Sequence, residues 1–312
     1  MDPASTAALV TLLTFFVAAL GACLGSFLNV CIYRIPREMS VVRPRSHCPA
    51  CGHQIPALLN IPLVSWCLLG GRCRFCRAPI SARYVLVEAL SAVLFVLVWF
   101  KFAAAAIDPA WAGRAAQAAR SAVVPWPAGG LLGLVPFDDP LLLLVYGLAV
   151  FGLLLGTFVD IEHMILPNRV TIGGMILGIV FSLAIPALHD TASRLTALIR
   201  GATGLVVGFG LLWFVAEAGS RIFRKEAMGF GDVKLMGAIG AFFGWRAVLF
   251  TLIASSFAGS IVGVSLVVAG RRQMQGRIPY GPFLAVGALV WLFWGPRLWH
   301  AYRHWLLPLG GD

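Results

Sequence analysis

The sequence predicts an all-α polytopic membrane protein with about eight transmembrane helices, and three observations predict it. Of the 312 residues, 60% are hydrophobic and only 12% charged, with a mean hydropathy of +0.88. That is too little polar surface to wet a soluble globule of this size, so a soluble enzyme is excluded. The apolar residues fall into runs near the roughly 17–25 residues that cross a hydrocarbon core of about 30 Å, and short polar connectors separate them. The net charge of +11, from 24 Lys and Arg against 13 Asp and Glu, is carried mostly by those connectors. No nucleic-acid motif accounts for it, so it reads as an orientation signal at the lipid bilayer.

The first run, about Thr6 to Tyr33, is too long for the apolar core of a signal peptide and follows only Asp2, so it reads as a retained helix. Further runs lie at about Tyr84–Phe100, Leu141–Val159, Val170–Leu188, Gly201–Ala216, Ala247–Ala269 and Ile278–Trp294. Asp139-Pro140 supplies a capping carboxylate and a first-turn proline for the third of these. Leu235–Trp245 is short for a span and reads as a broken or tilted crossing. With eight crossings the basic residues divide unequally between the two sides. Arg34, Arg37, Arg43, Arg45, Arg72, Arg74, Arg77, Arg83, Arg169, Arg221, Arg224, Lys225, Lys234, Arg271, Arg272 and Arg277 make sixteen on one side, and eight remain for the other. The positive-inside rule puts the sixteen in the cytoplasm and both termini outside.

The expected organisation is a first transmembrane helix at 1–33, a cytoplasmic loop domain at 34–83 and a membrane-embedded domain at 84–312. Lys101–Asp139 is a long outside loop, expected as a short surface helix and then coil around Pro-Trp-Pro-Ala-Gly-Gly. Trp299, Tyr302 and Trp305 recur at three-residue spacing, as in an interfacial helix bearing an aromatic belt.

Within the 34–83 loop, Cys48-Pro-Ala-Cys51 and Cys73-Arg-Phe-Cys76 form two C-x-x-C pairs enclosing 21 residues. Such pairs converge on a tetrahedral Zn²⁺, and a shell of four thiolates leaves no open position, so the site is structural. Two disulfides are the alternative, disfavoured in a reducing compartment. His47 and His53 flank the first pair and read as solvated, not as ligands. Cys23, Cys31 and Cys67 read as small buried apolar residues.

Acidic residues at the hydrocarbon edge are costly and so are functional candidates. Asp160 closes the third span and Asp232, in Gly229-Phe230-Gly231-Asp232, opens the sixth, which places both at the cytoplasmic surface although 72 residues separate them. Two close carboxylates share a proton, one serving as base toward water and the other as acid toward a peptide carbonyl: this is aspartic-protease chemistry. Gly229 and Gly231, lacking Cβ atoms, are expected to let an extended substrate approach. The competing reading makes Asp232 a helix cap and Asp160 an ordinary surface acid, as Glu162 and His163 are taken to be.

Together these features resemble the type IV prepilin peptidases of bacterial inner membranes, a Gly-x-Gly-Asp class of aspartic protease. The resemblance rests on Gly25-Ser26-Phe27-Leu28-Asn29-Val30, Tyr33-Arg34-Ile35-Pro36, the cysteine pairs with Asn60-Ile61-Pro62 between them, Arg83-Tyr84 with Glu88, Asp160 with Leu166-Pro167, Gly229–Lys234 and Pro279-Tyr280-Gly281-Pro282-Phe283. It implies cleavage of leaders from prepilins and type II secretion pseudopilins at the cytoplasmic face, with Asp160 and Asp232 as the catalytic pair. It further implies methylation of the new N-terminus with S-adenosylmethionine. Leu59, Val85 and Asn168 depart from the family's usual Glu, Pro and Asp. A non-enzymatic membrane scaffold or transporter, with a zinc-stapled docking loop, is the rival reading and needs neither aspartate.

Overall fold

The computed structural model describes residues 3–102, 140–224, 228–269 and 278–306. The expected loop after Phe102, the capping Asp139, and Lys225, Arg271, Arg272 and Arg277 lie outside the described residues. Among the described residues there is no β-strand, only the isolated bridges His47 to Gln54 and Arg72 to Pro79.

The helices are α1 (Pro3–Arg34), α2 (Val64–Leu68), α3 (Arg83–Phe102), α4 (Pro140–His163), α5 (Asn168–Ala184), α6 (Arg194–Phe223), α7 (Phe230–Val268) and α8 (Gly281–Leu306). Six of them, all but α2 and α5, are long and apolar enough to cross a membrane, and α5 is a shorter apolar helix. The chain is therefore a multi-pass membrane protein.

Helix α7 accounts for the short run that the sequence left awkward. Its 39 residues would reach about 58 Å if straight, nearly twice the hydrocarbon thickness. Gly244 interrupts it with φ 78° and ψ 172°, a conformation that glycine alone adopts without strain. A Cβ on Gly240 would lie 3.0 Å from Val248 Cγ2, although eight residues of straight helix rise about 12 Å, so the two halves fold back on one another. With α7 counted as two arms there are eight apolar helical segments among the described residues, and successive ones run in opposite directions. The ends of α3, α4 and α8 that meet through Arg83–Glu162 and Gly281–Asp160 form one face of the bundle. The other ends, joined by Lys101 to the carbonyls of Leu292 and Phe293 and by Tyr146 to that of Leu188, form the opposite face.

Close helix approach comes from small residues, as expected where lipid gives apolar side chains no reason to prefer the interior. Gly21 and Gly25 admit α3, since a Cβ on either would meet α3 backbone at 2.9 and 2.7 Å. Gly204 of α6 is tighter still: a Cβ there would stand 2.1 Å from the carbonyl oxygen of Gly240, a backbone atom that cannot swing away. Gly204→Ala is expected to cost about 1–3 kcal/mol by overpacking. Gly210→Ala on the same helix, where nothing lies within 4 Å, should be neutral. Thermal unfolding in detergent checks the pair, and equal midpoints would show that α6 and α7 are not packed this way.

Two cores result. One joins α1, α3 and α4 through Leu28, Ile32, Val98, Val145 and Val150, and the other joins α6, α7 and α8 through Leu212, Met236, Ile239 and Leu284. The last span and the aromatic segment around Trp299 and Tyr302 are one continuous helix, not a span followed by a separate surface helix.

Candidate active site and metal centre

The cysteine loop is built from two copies of one turn. In the first, Cys48 N–H donates to the His53 carbonyl and Gly52 N–H to the Cys48 carbonyl; in the second, Cys73 N–H donates to Ala78 and Arg77 N–H to Cys73, all at 2.8–3.0 Å. Gly52 (φ 68°) and Arg77 (φ 60°) take the same left-handed position after each pair. Such turns aim both thiols of a pair inward. The four Sγ atoms lie within 4.8 Å of one another, and Cys48 Sγ and Cys76 Sγ are 3.8 Å apart. Four sulfurs bound at about 2.3 Å to a tetrahedral ion would be separated by about 3.8 Å, so the cluster can hold a metal. All four are free thiols, not disulfides.

His47 and His53 are placed elsewhere. His47 Nδ1 is 3.2 Å from the Arg45 carbonyl, and the His53 ring stacks on Phe75 with centroids 3.9 Å apart. Of the remaining cysteines only Cys31 is buried; Cys23 and Cys67 are exposed, contrary to the apolar-core expectation. On α1 the reason is the surroundings: Leu12, Phe15 and Phe16 are also 64–71% exposed, a face for lipid and not for protein. Buried Glu88 ties the loop to α3 by accepting the Leu63 N–H at 2.8 Å, and Trp66 Nε1 donates to the Ile80 carbonyl at 3.2 Å.

Asp160 and Asp232 are both buried, at 6% and 8% exposure. Asp160 sits in the last turn of α4, and its Oδ2 accepts the Gly281 N–H at 2.9 Å. Asp232 sits in the first turn of α7, whose N-cap is Gly229, with no side-chain cap. Asp232 therefore does not cap its helix, and its carboxylate is near enough to Asp160 for the two charges to act on each other. The structure thus brings together two acids far apart in sequence, at one face of the bundle.

The glycines divide in role. A Cβ on Gly231 would lie 2.8 Å from Leu166 Cβ, so the bare backbone there admits Leu166 of the same chain. Gly229 is exposed, and a Cβ there would meet only Asp232 Oδ2, at 3.4 Å. Glu162 forms an ion pair with Arg83, which agrees with its reading as an ordinary helix-end acid. The pair also joins the last residues of the cysteine loop to the turn bearing Asp160. Lys234 donates to Asn168 Oδ1 at 2.8 Å and lies over the Phe230 ring, linking α7 to α5. Sequence reasoning missed Gly281: it was visible only as part of Pro279-Tyr280-Gly281-Pro282-Phe283, with no chemistry of its own to mark it.

Comparison with known proteins follows this division of the chain. The Bacterial Peptidase A24 N-terminal domain matches residues 19–102, which contain the cysteine loop. The Type IV leader peptidase family matches residues 146–264, which contain both aspartates. The chain is 35% identical to a prepilin leader peptidase/N-methyltransferase of Aeromonas hydrophila, over 89% of this chain and 90% of that one. Proteins of the same description from Pseudomonas aeruginosa, at 31% identity over 91% of each chain, and Myxococcus xanthus, at 37% over 84% of this chain and 65% of that one, are also similar. No solved structure matches. Relatives of this identity, aligned over most of both chains, show that the protein belongs to the type IV leader peptidase family.

Proposed function

We propose that this protein is a membrane aspartic endopeptidase that removes the leader peptide from type IV prepilins and type II secretion pseudopilins and then methylates the new N-terminus. The observation that carries the reading is the burial of two carboxylates, Asp160 and Asp232, within electrostatic reach of each other at one face of the bundle. The names of the relatives supply the substrate and the second activity. A scaffold has no use for two acids brought together at this cost.

The chemistry follows from the pair sharing one proton. The ionised carboxylate takes a proton from water, whose oxygen attacks the scissile carbonyl, while the protonated partner donates to the carbonyl oxygen. Collapse of the tetrahedral intermediate breaks the C–N bond, and the amine leaves with a proton from the carboxyl that received it. The Gly281 N–H holds Asp160 Oδ2, which leaves Oδ1 for the proton transfers. Gly229, beside Asp232 and exposed, lets the substrate backbone come close.

Cys48, Cys51, Cys73 and Cys76 would hold a structural Zn²⁺, which closes the 34–83 loop domain and takes no part in hydrolysis. S-adenosylmethionine would supply the methyl group for the neutral amine exposed by cleavage, and would leave as S-adenosylhomocysteine. The membrane-embedded part of the chain, 84–312, carries the peptidase. The active face is cytoplasmic, because the connectors richer in basic residues in the sequence belong with Asp160 and Asp232; the bacterial inner membrane is what the resemblance to the prepilin peptidases implies.

The test is incubation of the purified protein in detergent with a prepilin, followed by mass spectrometry. A product lacking the leader, and one methyl heavier when S-adenosylmethionine is supplied, is expected; an intact prepilin would overturn the reading. Gly281→Ala refines it. A Cβ at 281 would stand 2.8 Å from Asp160 Oδ2 and push the carboxylate off its donor. Losing a hydrogen bond to a charged group costs about 1.5–3 kcal/mol, so cleavage should fall about 10- to 100-fold with the fold retained. An unchanged rate would remove Gly281 from the site.

A further inference from the structure

The face of the bundle opposite the aspartates contains a second chemistry-bearing feature that leader cleavage does not use. It is a cavity of about 430 Å³ among the ends of α3, α4 and α8, the start of α6, the Pro186–His189 turn and the bend at Gly244. Only eight of the 24 basic residues belong to this side of the chain, yet Lys101, Arg200 and Arg246 all line this cavity. Asp190 is the one carboxylate among its described lining residues, and it lies within electrostatic reach of all three cations. His189 adds no charge, because burial and then the nearby Arg200 push its imidazole down to about 4. The described lining therefore sets two guanidinium groups, Arg200 and Arg246, against one carboxylate.

Lys101 is buried, and Arg200 and Arg246 are exposed but each is tied to neighbouring groups. Pro296 inside α8 cannot donate to the carbonyl four residues back, that of Leu292, and Lys101 Nζ takes it instead. Arg200 Nη1 donates to the His189 carbonyl at 2.6 Å and the Asp190 carbonyl at 3.4 Å, leaving the rest of its fork directed elsewhere. The Arg246 guanidinium is 5.6 Å from the Trp245 ring and 5.1 Å from the Trp299 ring. Tryptophans at helix ends mark the depth of lipid headgroups. An excess of fixed guanidinium groups at that depth matches a phosphate, whose oxygens pair bidentately with arginine.

We propose that this cavity binds a phosphate-bearing anion, in the form of a phospholipid headgroup or free phosphate, through Arg200 and Arg246 at the face of the membrane opposite the active site. The full chain purified in detergent tests this by thermal unfolding, with dioleoylphosphatidylglycerol, inorganic phosphate and dioleoylglycerol as probes. The phosphatidylglycerol should raise the unfolding midpoint by a few degrees, and the phosphate-free dioleoylglycerol should not. In Arg200→Gln/Arg246→Gln the half-effective lipid concentration should rise at least about tenfold, as expected when two charge-assisted contacts are lost. If inorganic phosphate gives the same arginine-dependent shift and blocks the lipid effect, free phosphate is the source; if it does neither, the headgroup is. Arg246→Lys keeps the charge, removes the planar fork and decides the matter should the double variant fail to fold. Three results overturn the proposal: no shift with either phosphate probe, an equal shift with dioleoylglycerol, or a half-effective concentration unchanged by the folded variants.

Discussion

Asp160→Asn and Asp232→Asn are each expected to abolish leader cleavage, by at least about 10³-fold, while the protein still inserts and keeps its metal loop. The amide has nearly the shape of the carboxylate, so the Gly281 N–H can still donate to the oxygen of Asn at 160 and the packing of α4 against α8 survives. What is lost is the exchangeable proton, since an amide neither takes one from water nor shares one with its partner. If the pair acts as one unit, the double substitution should be hardly worse than either single one. Two independent structural contributions would instead multiply. The measurement is single-turnover cleavage of a prepilin by wild type, both single variants and the double. Near-normal cleavage by either single variant would exclude the pair and reopen the scaffold reading. Methylation of an already cleaved pilin is expected to persist in both, as its chemistry is assigned elsewhere.

Cys48→Ser/Cys73→Ser should release a zinc ion present at about one per chain in the wild type, as measured by elemental analysis of purified protein. Both residues are buried at the base of their turns, and neutral hydroxyls cannot replace thiolates. Structural zinc sites contribute on the order of 10 kcal/mol to folding, and the 34–83 loop has little apolar core of its own, so limited proteolysis should cut it readily once the ion is gone. The damage reaches the membrane through the bonds of Arg34 to the Ser40 and Pro44 carbonyls, through Leu63 to Glu88, and finally through Arg83 to Glu162. The Arg83–Glu162 pair ends two residues from Asp160. Methylation is expected to fail, and cleavage to fall less, because the carboxylates stay fixed by α4, α7 and α8. Loss of cleavage with zinc and fold both intact would show that the metal does more than staple the loop.

Much of this protein is determined locally and was legible from the chain alone. Composition and run length specify apolar helices because hydrocarbon offers the backbone no hydrogen-bond partners. The cysteine spacing specifies a four-sulfur cluster because each C-x-x-C turn closes on itself, as the matching bonds around Cys48 and Cys73 show. The short run ending at Trp245 was legible as an anomaly, and Gly244 is its cause.

What the sequence could not decide is which helices touch, and on which faces. In a soluble helix the apolar stripe names the buried side, but in α1 and α7 apolar residues lie all round, and lipid accepts them as readily as protein does. Hence Cys23 was expected inside and stands outside, and the bare backbone of Gly231 also makes room for Leu166, a need the sequence did not show. Topology alone could bring Asp160 and Asp232 to one surface. Only helix packing could bring Gly281 to Asp160 across 121 residues, or gather Lys101, Arg200 and Arg246 around one cavity at the far face. Such meetings depend on the close approach of small residues such as Gly204 and Gly240, and the partner across a helix interface leaves no mark on the local sequence.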